Sequence, residues 1–393
     1  MTFLSPPLGA GPGRLSYARA RLYLGISGVG TAVLAAVCLL GFDIPQAGFS
    51  TSPAQPVGRS LFAVGAFFAM VTALFFPYDL MGGAWLVRRK HAAAAWLLRW
   101  LRGAVVQWLV WMLTGASLMV AARAGTPTIT LAVFVGIQLL LALFRGPLAR
   151  IVAGFASHPV SETVVQAAER AGIPVSQLRV VDTHDESFVG GWSSILPRTL
   201  IVPLRWGTLP VHALAAQLAR RKAVADSGAH TRGVLGALMW NTIGFLVVQQ
   251  LTGTTPATGA GLVTLMAGMT LWGFAGVLLL PTPSRAAVYA TDDAVRGTQG
   301  DAALRTSIEL LDKWQDDEPT RSPNVERIFH PVPARANRLA RLSRDGAGGL
   351  QTWHAHNVAR QALWLSWGAL TPVARVVHCN VGRTPLWVML PGD

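Results

Sequence analysis

The side chains in this sequence best placed to do chemistry are three consecutive cations, Arg220, Arg221 and Lys222. They lie in VHALAAQLARRKAVAD, residues 211–226, where Val211, Leu214, Ala215 and Leu218 recur at helical spacing. Pro210 precedes the stretch, at a position where a first-turn proline is tolerated, so a helix is predicted with the cations in its second half. Such residues complement the dipole of their own helix, and they are also able to pair with a carboxylate or a lipid headgroup. Metal-ligating types are scattered. His184, Asp185 and Glu186 stand together, His212 and His230 bracket the basic helix, His330 lies farther on, and His354 and His356 are two apart. None of these spacings fixes a tetrahedral site by itself. Ser193 and Ser194 follow Gly190-Gly191 without the G-x-S-x-G frame of a serine nucleophile. His378-Cys379-Asn380 reads as an ordinary buried turn, Asp316, Asp317 and Glu318 as a solvated loop, and Asp79 as an interfacial acid at the end of an apolar run. Cys38 and Cys379, the two cysteines, make neither a disulfide framework nor a zinc cluster, and Cys38 is expected as a small core residue.

The elements that must carry these residues are mostly apolar. Of 393 residues, 52% are hydrophobic and 13% charged, and the mean hydropathy is +0.42. A soluble chain of this length carries more charge, so a membrane protein is expected. Spans need about 20 apolar residues each. They are predicted at Leu22–Phe42, Ser60–Leu80, within Gly103–Ala122, at Ile129–Phe144, Val234–Leu251 and Leu262–Leu280. The net charge of +14 sits in arginines flanking these runs, which points to the positive-inside rule and not to nucleic acid. Arg14, Arg19 and Arg21 precede the first span. Arg88, Arg89, Lys90, Arg99 and Arg102 fill the second connection, Arg145 and Arg150 follow the fourth span, and Arg285 follows the sixth. The opposite connections hold little beyond Arg59 and Arg123. All basic loops share one side if both termini and the polar insert are cytoplasmic, in the cell (inner) membrane. The first 20 residues carry no apolar core, so the first run is expected to stay as an anchor.

Residues 146–233 form a polar insert between the fourth and fifth spans. Pro159–Ala171 reads as an amphipathic helix ended by Gly172-Ile173-Pro174. Leu178–Asp182 and Thr199–Leu204 read as strands separated by a Gly-Gly turn, and the basic helix follows. A second polar block, 282–345, contains expected helices at Ala302–Trp314 and Pro333–Leu342. Residues 346–393 are too interrupted, by Pro372 and Arg375, to span, and an interfacial helix or a lid over the soluble domain is expected.

Several of these pieces resemble the membrane CAAX-prenyl endopeptidase and HtpX-like zinc metalloproteases. AAERAGIPVSQLRVVDT (167–183), GGWSSILPRTLIVPLRWGTLP (190–210), SRAAVYATDD (284–293) and HPVPARANRLARL (330–342) are similar to that family's segments in order and spacing, over roughly residues 155–345. The resemblance implies an HExxH helix with two zinc-binding histidines and a glutamate base, and a third ligand from a later helix. The histidine positions fall on Arg220 and Val224, the base on Arg221, and the third ligand on Val288, with Ser284, Arg285 and Asp292 retained around it. Arginine has no lone pair for a metal and valine no donor atom.

The sequence is therefore expected to encode a mainly α, polytopic membrane protein of about six spans with a small α+β metalloprotease-like cytoplasmic domain. The expected segments are 1–21, 22–145, 146–233 (with the former zinc helix at 210–226), 234–281, 282–345 and 346–393. The expected function is a pseudopeptidase without catalytic residues or zinc, in contact with the lipid bilayer and holding a peptide or protein partner. Its groove would be an edge strand beside the basic helix, with Arg220, Arg221, Ser284, Arg285, Asp292 and His330 as binding candidates. The alternatives are an active zinc endopeptidase with a relocated metal site and a membrane scaffold subunit.

Overall fold

The computed structural model describes residues 16–49, 53, 55–87, 92–183, 185–193, 199–315, 317–343, 357–388 and 390. Arg14, Arg88, Arg89, Lys90, His184, Ser194, Asp316, His354 and His356 lie outside the described residues.

Helices dominate. In chain order they begin with α1 (Tyr17–Gly41), α2 (Ile44–Phe49), α3 (Val57–Leu80), α4 (Ala93–Ala124), α5 (Pro127–Leu143) and α6 (Arg145–Ala153). The insert follows as β1 (Ala156–His158), α7 (Glu162–Ala171), β2 (Leu178–Asp182), β3 (Gly191–Trp192), β4 (Leu200–Pro203) and α8 (Val211–Asp226). Then come α9 (Ala229–Thr252), α10 (Gly259–Leu279), α11 (Pro281–Gln299), α12 (Asp301–Gln315), α13 (Pro323–Phe329) and α14 (Arg335–Leu342). The chain closes with α15 (Val358–Leu365), α16 (Val373–Val376) and α17 (Thr384–Trp387).

Among the described residues, five helices are long and apolar enough to cross a membrane: Tyr17–Gly41, Val57–Trp85, Ala93–Ala124, Ala229–Thr252 and Gly259–Gln299. The bent pair of α5 and α6 brings the number to six. The protein is a polytopic, mainly α integral membrane protein with a small sheet, as its apolar runs predict. Arg99 and Arg102, read as loop charges, are part of α4, which extends ten residues ahead of the expected run.

The chain divides into two compact units. The first comprises Met1–Phe144, Ala237–Gly276 and Ala362–Trp387. Its core is aromatic and aliphatic: Phe68 packs on Trp111, and Phe134 stacks on Phe245 with ring centroids 4.2 Å apart. Leu34, Phe62, Leu113 and Leu251 point outward, as lipid-facing helices require. Cys38 is half-buried, less enclosed than a core position.

Two expectations for this unit are corrected. Asp79 is not interfacial: it is fully buried and bonded to Arg375, Trp100 and the Gly382 amide. The tail from Ala362 to Trp387, expected as a surface or lid element, belongs to this helical unit, and Trp364, Trp367, Leu370, Val373 and Trp387 are wholly enclosed. Arg375, the charge that interrupts the tail, is paired with Asp79 of α3, which removes the penalty that argued for a surface position.

The second unit comprises Arg145–Gly236, Val277–Gln361 and Val388–Asp393. Its four-stranded sheet has the order β1-β2-β4-β3. β1 runs antiparallel to β2, β2 runs parallel to β4 with Leu178 opposite Leu200, and β3 runs antiparallel to β4. The strand expected at the edge is thus internal. β4 is paired on both sides and carries four buried residues, while the short β1 and β3 form the edges. β4 reads as LIVP, and its continuous apolar character matches a strand covered on both faces.

Candidate functional site

Helix α8 is the centre of the second unit. Leu214, Ala215, Leu218 and Ala219 are buried in one core with Val164, Ala167 and Ala168 of α7 and with Leu304, Ile308 and Leu311 of α12. The small residues allow close packing around α8. Its buried surface extends further than a helix at a surface requires: Gln217, Arg220, Arg221 and Val224 are all enclosed as well.

Arg220 and Val224 are four residues apart and share a face of α8. Val288 and Asp292 are likewise four apart on α11, at 0% and 1% exposure. The Arg220 guanidinium forms an ion pair with Asp292, which brings those two faces together. A second guanidinium closes the carboxylate from α14: Arg338 Nε donates to Asp292 Oδ2 at 2.8 Å and a terminal nitrogen donates to Oδ1 at 2.9 Å. This is the fork geometry in which arginine binds carboxylate most strongly. One buried carboxylate therefore holds two buried guanidiniums.

Arg221 turns the other way. Its guanidinium donates to the Val189 carbonyl at 3.2 Å and lies 5.6 Å from the centre of the Trp206 ring. The Arg221 carbonyl accepts from Trp192 Nε1 of β3 at 2.9 Å. Between these two contacts sits Gly190, at φ +65°, where a Cβ would lie 2.0 Å from the Ile201 carbonyl oxygen. The turn that the Gly-Gly pair announced is what delivers both contacts to Arg221.

The remaining predicted residues take structural positions. The Ser284 hydroxyl donates to the Leu280 carbonyl and accepts from the Ala359 amide, tying α11 to the start of α15. Arg285 is half-buried on α11. His330 is buried and ends α13, its amide bonded to the Glu326 carbonyl. Glu326 Oε2 accepts from the Ala334 amide and from Asn337 Nδ2, fixing the entry to α14. Lys222, third of the cations, is half-exposed and pairs with Asp226 one turn on.

Arg338 was not singled out in the sequence, yet a signal was there. Arg335, Arg338 and Arg341 recur every third residue on α14. Each meets an acid: Arg335 meets Asp312 at 3.4 Å, Arg338 meets Asp292, and Arg341 meets Asp293 at 2.7 Å. The hydrogen bond to Asp293 raises the Arg341 pKa above its ordinary value, against an opposing effect of burial.

No family model matches the sequence, and no curated protein matches it. A solved structure does match in shape. The crystal structure of Ste24p from S. mikatae superposes with a TM-score of 0.64, covering 83% of this chain and 87% of that one, at 13% sequence identity. The chain has an Ste24p-like polytopic fold.

Proposed function

We propose that this protein is a membrane pseudopeptidase, a non-catalytic chain on a membrane metalloprotease-like fold that serves to bind a peptide or protein partner. The likeness in fold to Ste24p supports the metalloprotease-like architecture. The observation that carries the non-catalytic reading is the ion cluster. Where the resemblance would place a zinc ligand, Arg220 is committed to Asp292, and Asp292 is also committed to Arg338.

The residues present do not fit zinc. A dication needs neutral imidazoles, thiolates or carboxylates with free lone pairs. Here the aligned positions offer two guanidiniums and two valines, and the nearby carboxylate already faces two cations. Among the described residues, no group of three or more His, Cys, Asp and Glu is disposed to hold a metal. The aligned positions, Arg220, Arg221, Val224 and Val288, supply neither ligands for a metal nor a base beside it.

Arg220 and Arg221 are 0% and 2% exposed and engaged within the unit. Their charge holds α8, α11 and the β3 turn in place, so partner recognition falls to the surface around them. The distribution of arginines supports an orientation with both termini and the second unit in the cytoplasm. The reading is tested by incubating purified protein, with and without added zinc, with a panel of lipidated and unmodified peptides. Binding without cleavage is expected. Cleavage abolished by a chelator would overturn it.

A further inference from the structure

We propose that the C-terminal segment Ala362–Trp387 is an internal strap that seals the interior of the helical unit, latched there by the buried pair Asp79–Arg375. The pair is 296 residues apart in sequence. Arg375 Nε donates to Asp79 Oδ2 at 2.7 Å, and a terminal nitrogen lies 2.5 Å from the same oxygen. Trp100 Nε1 donates to Oδ2 and the Gly382 amide to Oδ1, both at 2.9 Å. The carboxylate thus takes bonds from α4 and from two places on the strap. The guanidinium also donates to Gln107 Oε1 at 3.3 Å and lies over the rings of Trp100 and Trp387, at 5.4 and 4.6 Å.

Neither charge is tolerable alone at this depth. Asp79 and Arg375 are 0% and 1% exposed in an apolar bundle, where an ionised side chain persists only with its partner in place. Withdrawing the strap would strand a carboxylate on α3. A second clamp repeats the logic: Arg21 of α1 donates to the Gly82 carbonyl at 2.7 Å and to the Val381 carbonyl of the strap at 2.9 Å.

The helices are also shaped for the strap. A Cβ on Gly25 would lie 2.4 Å from the His378 Cα, one on Gly82 2.4 Å from the Val381 oxygen, and one on Gly83 2.1 Å from the Gly382 oxygen. Three glycines on two elements stand where the strap backbone passes. On α1, Gly30 faces nothing within 4 Å. With the strap seated, its tryptophans Trp364, Trp367 and Trp387 are wholly enclosed in this unit.

The test uses the full chain with Ala374→Cys in a background of Cys38→Ser and Cys379→Ser, because Ala374 is 0% exposed at the heart of the strap. The rate of modification by a membrane-permeant maleimide is read in native membranes. The expected result is slow labelling, accelerated about tenfold or more by Asp79→Asn, which leaves the Arg375 guanidinium without its counter-charge. Gly25→Val should accelerate labelling without altering any charge, whereas Gly30→Val should not. Fast labelling of Ala374→Cys in the otherwise native chain would overturn the proposal. So would equal labelling in the Gly25→Val and Gly30→Val variants, an arm that stands even if Asp79→Asn fails to fold.

Discussion

Arg220 on α8 and Asp292 on α11 form an ion pair almost wholly withdrawn from solvent, and Arg338 completes it from α14. The three charges do not contribute equally. Removing the carboxylate leaves two buried guanidiniums facing each other, whereas removing Arg220 leaves the Arg338–Asp292 fork intact. Asp292→Asn should therefore destabilise the protein by about 3–5 kcal/mol, and Arg220→Met by less, on the order of 1–3 kcal/mol. Thermal unfolding in detergent reads both. Equal losses would show that Arg338 alone does not satisfy Asp292.

Gly190 should be intolerant of any side chain. Its positive φ disfavours an L residue by about 1–2 kcal/mol, and the Ile201 carbonyl occupies the space of a Cβ. Gly190→Ala should lower the unfolding temperature more than a surface exchange such as Glu169→Ala. Because Val189 and Trp192 both bond Arg221, it should also loosen the turn, seen as faster amide exchange at Trp192.

The proposed orientation gives a third prediction. In a chain lacking Cys38 and Cys379, a cysteine at Thr255, in the connection between α9 and α10, should react with an impermeant maleimide on intact cells. A cysteine at Glu169 of α7 should react only after permeabilisation. The reverse pattern would place the second unit outside.

Much of this architecture was legible in the sequence because its signals are local. The spans show as apolar runs, α7 as an amphipathic period closed by Gly172, and β2 as an alternating stretch. What was hidden depends on partners distant in the chain. Asp79 looked like an interfacial acid and Arg375 like a break in the tail, because each explains the other only across the bundle. β3 spans two residues and β1 three, too short for a period to register, so β4 was read as an edge when it is internal. At the candidate site, helical spacing placed Arg220 and Val224 on one helix, and the resemblance implied a second carrying Val288 and Asp292. Neither revealed that Arg338 would share the carboxylate, since three arginines on a short helix read equally well as a solvated face.

If the ion cluster stands where the resemblance would place zinc, the purified chain should retain no stoichiometric metal. The detergent-purified chain would be washed with a chelator, re-exposed to zinc, desalted and measured by elemental mass spectrometry. Zinc far below one equivalent per chain is expected, unchanged in Arg220→Met. Stoichiometric zinc that survives desalting would contradict this, and would direct mutagenesis to His184, His212, His230 and His330.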